Sequence, residues 1–214
     1  MKRDSWILPV AVLALVGAVS LGFSCQLGHG DWPTWIQAVG SVGAIVVAIW
    51  ILYRQHEQDR EAERQEVRAF VSAVREELAT MWAMYELDMR TFLKDVKPGE
   101  YLDVIFPGTP DVFTIYNNAS AQVGRVPDLE IRQLIVIVYA QAKSLVSAFQ
   151  LNNFLVQRYH NLNAARNDVP QNVELAKTAH QTAVVYAGKI REMDTMLAGN
   201  IDQLINAADK WLAS

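Results

Sequence analysis

Residues 5–30 contain no Asp, Glu, Lys or Arg, and neither do residues 32–53. A helix rises about 1.5 Å per residue, so roughly 20 residues cross a hydrocarbon core of about 30 Å. Spans of about 6–28 and 33–53 therefore predict two transmembrane helices joined by a short loop. Trp6, Trp32, Trp35, Trp50 and Tyr53 fall near the ends of the two runs, at the level where amphipathic rings favour the headgroups. The chain as a whole is 51% hydrophobic with a net charge of −4. That average conceals a sharp division, because only Lys2, Arg3, Asp4 and Asp31 of the 19 basic and 23 acidic residues precede residue 54. Such a split excludes a simple soluble globule and a polytopic transporter.

Orientation follows from the basic residues flanking the spans. Lys2 and Arg3 precede the first run, the connection at 29–34 has neither Lys nor Arg, and Arg54, Arg60, Arg64 and Arg68 follow the second. The positive-inside rule then places both termini in the cytoplasm of a bacterial inner membrane. A competing reading makes the first run a cleaved signal, with Gly22, Phe23 and Ser24 before Cys25 resembling a degraded lipidation box. Cys25 is the single cysteine, so disulfide stapling is excluded. Small residues recur four apart in both runs, at Ala14, Ala18 and Gly22 and at Gly40, Ala44 and Ala48. Stripes of this kind let membrane helices approach closely, either within the hairpin or between copies. No Asp, Glu, Lys, Arg or His lies within the spans of 6–28 and 33–53, so an ion or proton pathway through one chain is not expected.

Residues 54–66, RQHEQDREAERQE, alternate in sign and predict a solvated helical neck. The remaining chain, 67–214, reads as a cytoplasmic all-α domain: an antiparallel, coiled-coil-like bundle of three long helices plus one short one. Val67, Val71, Val74, Leu78, Met81, Tyr85 and Phe92 form the first seam, with Asp88 as its break, and Lys97, Pro98 and Gly99 end the helix. Thr109 and Pro110 predict the start of a short helix at about 110–123, with Gly124 as its stop. A second long helix opens at Pro127 and Asp128 and runs to about 160, on a seam from Ile131 through Asn152 to Tyr159. A turn at 161–170 leads to the last helix, about 171–212, whose seam includes Val173, Ala176, His180, Ala187, Asp194, Leu204 and Trp211; Gly199 marks an expected kink. Short connections favour antiparallel neighbours, so an up-down-up order is expected, with 98–126 at the membrane-distal tip.

Motifs for chemistry are sparse. His29, His56, His160 and His180 are scattered, and no phosphate loop, nucleophile elbow or dinucleotide turn occurs. The segment beyond residue 53 is net acidic, which argues against nucleic acid. No cofactor is expected. The candidates left are polar residues on the seams, Asp88, Asn152, His180 and Asp194, as register-setting groups or a buried His180–Asp switch. A cluster at the tip, Tyr101, Phe106, Phe113, Tyr116, Asn117 and Asn118, reads either as a lid or as a site for a partner protein.

Residues 31–55 and 115–145 resemble small bacterial and prophage-encoded membrane proteins with an N-terminal hairpin and a cytoplasmic helical domain. The layout is also similar to two-transmembrane effectors of anti-phage systems, which perturb the inner membrane when a cytoplasmic sensor releases them. The resemblance implies a non-enzymatic protein of phage defence whose partners are the lipid bilayer, a cytoplasmic protein or further copies of itself. The alternative is a membrane-tethered ligand receptor.

Overall fold

A computed structural model describes residues 32–107, 113–165 and 170–214. Every regular element among them is helical: α1 (Trp32–Tyr85), a π-helical turn (Glu86–Arg90), α2 (Thr91–Asp95), α3 (Thr114–Ala119), a 3-10 turn (Ser120–Arg125), α4 (Leu129–Ala164) and α5 (Pro170–Ala213). The chain divides into two units, Met1–Arg64 and Gln65–Ser214. In the first, the described residues all belong to α1, while the first expected span, with Ala14, Ala18, Gly22 and Cys25, lies outside the described residues. So do Thr109 and Pro110.

In the second unit the seam of α1 buries Val67, Val71, Val74 and Leu78, as their spacing predicts, and Phe70 besides. Beyond Tyr85 the expectation fails. Asp88 and Phe92, both assigned to the seam, are exposed, and Met89 and Leu93 are buried in their place. The π turn is the reason. Its wider turn takes up one additional residue, rotating everything after it. Phe92 is thereby 51% exposed while Leu93 is 1% exposed. Thr91 Oγ1 donates to the Glu86 carbonyl, 3.2 Å away and five residues back, within the widened turn.

The Asp128 carboxylate caps α4 by accepting from the Ile131 amide at 3.1 Å, so the helix starts at Leu129 and Asp128 stands just outside it rather than in its first turn. α4 contributes a broad buried stripe from Ile131 to Val156, and α5 runs unbroken through Gly188 and Gly199. α4 and α5 are antiparallel, joined midway by Asn200 Nδ2 donating to Gln141 Oε1 at 2.8 Å. Ala176, Ala179, Ala183 and Ala187 line the first half of α5, where small side chains permit close helix approach. Val173, expected on this seam, is exposed instead.

The up-down-up order is not what forms. α1 lies antiparallel to α5, since Arg75 pairs with Asp209 and Arg90 with Asp194. It lies parallel to α4, since Glu77 bonds Tyr139 and Tyr85 packs on Phe149. Residues 96–107 and 113–128, the strap, make this arrangement by returning along the helices. Tyr101 packs beside Tyr159, Phe106 on Phe149 and Tyr116 on Tyr139, so the strap descends α4 towards its N-terminus. The segment expected as a tip is therefore a lateral strap. Gly99, at φ 89°, makes the turn into the strap, with the Glu100 amide donating to the Lys97 carbonyl at 3.1 Å.

Among the described residues one helix, α4, is long and apolar enough to cross a membrane by length and composition, and 44% of its most apolar stretch is buried within the protein. Its apolar stripe faces the bundle core.

Candidate functional site

In the first unit, residues 42–53 of α1 expose large apolar side chains around the whole helix. Val42, Ile45, Val46, Val47, Ile49, Ile51, Leu52 and Tyr53 are each 41–65% exposed. At 100° per residue these positions point in nearly every direction, not along one stripe. Gly40, Ala44 and Ala48 are exposed as well, and a methyl group added at Gly40 would meet nothing within 4 Å. Polarity returns after Trp50, whose ring lies 5.4 Å from the Arg54 guanidinium.

In the second unit, the seam polar residues separate into different roles. Asp194 is 6% exposed and accepts from Tyr85 Oη at 2.9 Å and from Arg90 Nε at 3.2 Å. Arg90 also pairs with Glu86 one turn back and sits 4.7 Å over the Trp82 ring. Burial and the Asp194 charge push the Tyr85 pKa well above the ordinary phenol value. Burial alone would lower the Arg90 pKa, but the Asp194 and Glu86 carboxylates together outweigh it and raise it. Asn152, fully buried, donates to the Leu102 carbonyl at 3.0 Å and so holds the strap to α4. Asn153 grips the same strap twice, accepting from the Phe106 amide at 2.9 Å and donating to its carbonyl at 2.8 Å. His180 is half-buried against Tyr101 and Tyr159, with ring centroids at 5.4 and 5.2 Å. The His–Asp contact of this region belongs to His160 and Asp103, 2.9 Å apart, and not to His180. Asp88 takes no part in the seam.

The six residues expected at a tip are spread along the strap and do not form one surface. Tyr101 joins the Tyr159, His160 and His180 rings. Phe106 stacks on Phe149 at 5.0 Å, Phe113 meets Tyr139 edge-on, and Tyr116 stacks on Tyr139 at 4.0 Å. Asn117 accepts from Lys143 Nζ at 2.8 Å, and Asn118 is exposed. Apart from the asparagines, these side chains cover the core.

Glu77 and Arg90 were not legible as site residues. The Glu77 carboxylate accepts from the Ile115 amide at 2.7 Å, the Tyr116 amide at 3.3 Å and Tyr139 Oη at 2.6 Å. It thus supplies the cap that α3 lacks from its own preceding residue. Burial and this hydrogen bond push the Tyr139 pKa far up. Adjacent acids on an amphipathic helix give no signal for such a role, because the partners lie 38 and 62 residues away.

Between α1, the π turn, the strap, α4 and α5 lies a cavity of about 340 Å³. Trp82, Tyr85, Phe106 and Phe149 contribute rings to its wall, and Met81 and Met84 contribute thioethers. Asp88 is the one charged residue among the described lining residues. An aromatic wall with one charged group at its edge has the composition of a small-molecule site. The chain matches no protein-family model, no curated protein and no solved structure.

Proposed function

We propose that this chain is a non-enzymatic protein of the bacterial inner membrane. In this reading a hairpin over residues 6–28 and 33–53 anchors a cytoplasmic helical bundle that binds a protein partner or a second copy of the chain. The observation that supports anchoring is the exposure of large apolar side chains on all sides of residues 42–53. A helix apolar all round is stable in a membrane or deep within a large core, and the described residues offer it no such core. On the bundle, Leu151 and Phe154 of α4 and Val185 of α5 are exposed, which gives a partner protein apolar contacts. Fusions after Ser214 test the topology. A green fluorescent protein fusion should be fluorescent and membrane-bound and an alkaline phosphatase fusion inactive; an active phosphatase overturns the orientation.

The phage-defence form of this proposal makes the hairpin an effector that clusters through Gly40, Ala44 and Ala48. Induced expression should then depolarise cells, and Gly40→Leu with Ala44→Leu should relieve the effect; unchanged growth and membrane potential sink it. A second reading, a membrane-tethered ligand receptor, is favoured by the cavity beneath the strap.

A further inference from the structure

The cavity also carries a charge preference. At about 340 Å³ it falls towards the lower end of ordinary small-molecule sites, which run from roughly 300 to 1,000 Å³. Its rings present faces of partial negative charge, which attract cations. Thioethers add polarisable, adaptable surface. Asp88 adds a full negative charge where the lining is exposed, and it makes no hydrogen bond or ion pair with the described residues. That carboxylate arrives at the cavity because the π turn displaced it from the seam.

No basic residue is among the described lining residues to offset this. Arg90 lies over Trp82, but Asp194 and Glu86 both bind its guanidinium. Its charge is thus already met by two carboxylates other than Asp88. An anionic amphiphile entering here would bring its head group beside a carboxylate that has no partner among the described residues, whereas a cationic one would neutralise it.

We propose that this cavity binds a lipophilic cation, with an aryl or alkyl body among the aromatic and methionine side chains and an ammonium group at Asp88. The proposal rests on the receptor reading of the bundle and adds the chemical class of its ligand.

The test uses the full chain in nanodiscs of zwitterionic phosphatidylcholine, with empty nanodiscs as the blank for partitioning. Two probes of matched body are titrated by calorimetry: 4-phenylbutyltrimethylammonium and 4-phenylbutylsulfonate. Attraction of one head group and repulsion of the other, each about fivefold for a partly exposed pair, give the cation an advantage of roughly twentyfold. Asp88→Asn, a change at an exposed position, should bring the two affinities to within about threefold. Val146→Trp, which places an indole in the cavity, should abolish binding of both probes while the helical circular dichroism is retained. Equal binding of the two probes, or a cation preference unaltered in Asp88→Asn, overturns the cation proposal. If that equal binding still disappears in Val146→Trp, the receptor reading survives without it. If neither probe binds the wild-type chain, or if Val146→Trp keeps its fold and binds both as before, the receptor reading falls too.

Discussion

Asp194 sits between Ile190 and Leu197 on a buried stripe, and it is tolerated there because Tyr85 and Arg90 both donate to it from across the bundle. An unpaired charge at that depth would cost several kcal/mol. Asp194→Ala should therefore destabilise the bundle by about 3–5 kcal/mol in urea unfolding, since it removes the shared charged acceptor of Tyr85 and Arg90 and leaves Arg90 with Glu86 alone. Tyr85→Phe removes one hydrogen bond to a charged acceptor and should cost about 1.5–3 kcal/mol. The same tyrosine predicts a response to alkali. Its folded-state pKa, like that of Tyr139, is raised above the unfolded value of about 10. Below that pH the contribution of both phenols is fully present; above it the unfolded chain ionises first, and stability declines towards the folded pKa. Urea midpoints at pH 9 and pH 11 should show a fall that is shallower in Tyr85→Phe and in Tyr139→Phe. At this scale Asn152 and Asp194 were legible, because a polar residue interrupts an apolar period. Arg90 and Glu77 were not, because their partners are fixed by tertiary approach over 104 and 62 residues.

Helix existence and most seam positions followed from spacing. Spacing does not encode direction, and that is where the expected bundle order went astray. A connection of this length carries a signal of its own: helix–helix links within bundles usually take about 2–8 residues, and a longer one can cross back to give parallel neighbours. The π turn was invisible for another reason, since a strict seven-residue pattern placed Asp88 and Phe92 inward just as plausibly as Met89 and Leu93. The turn yields an element-level prediction. Deleting exposed Leu87 should let residues 86–90 close into ordinary α-helix with Met89 and Leu93 still on the seam, at a cost of about 1 kcal/mol or less. Deleting Ala79, within the regular part of α1, rotates every later seam residue by about 100° and should abolish cooperative melting. Thermal denaturation of the two variants checks this; comparable damage from both would show that the π turn is not a tolerated insertion.

For the whole molecule, the charge-free part of the sequence includes residues 42–53, whose large apolar side chains find little cover among the described residues. Val46→Asp with Ile49→Asp places two carboxylates where neither parent side chain is buried. In a membrane each should oppose insertion by about 2.5–3.5 kcal/mol at mid-span, and the double variant should become extractable by alkaline carbonate. Retention identical to wild type would mean that residues 42–53 are not the anchor. The parallel arrangement of α1 and α4 has a further consequence, and it concerns time. Arg75 meets Asp209 after 134 intervening steps of the chain, and at roughly 5–20 residues per second a ribosome needs on the order of ten seconds to cover that distance. Throughout that interval the α1 seam can gain cover from the strap and α4 but not from α5, while α4 and α5, neighbours in sequence, can close on each other as soon as both are made. The last residues synthesised are thus the ones that complete the cover of the first helix of the bundle, and a nascent chain stalled before Asp194 would present the uncovered side of that helix to chaperones or to other copies.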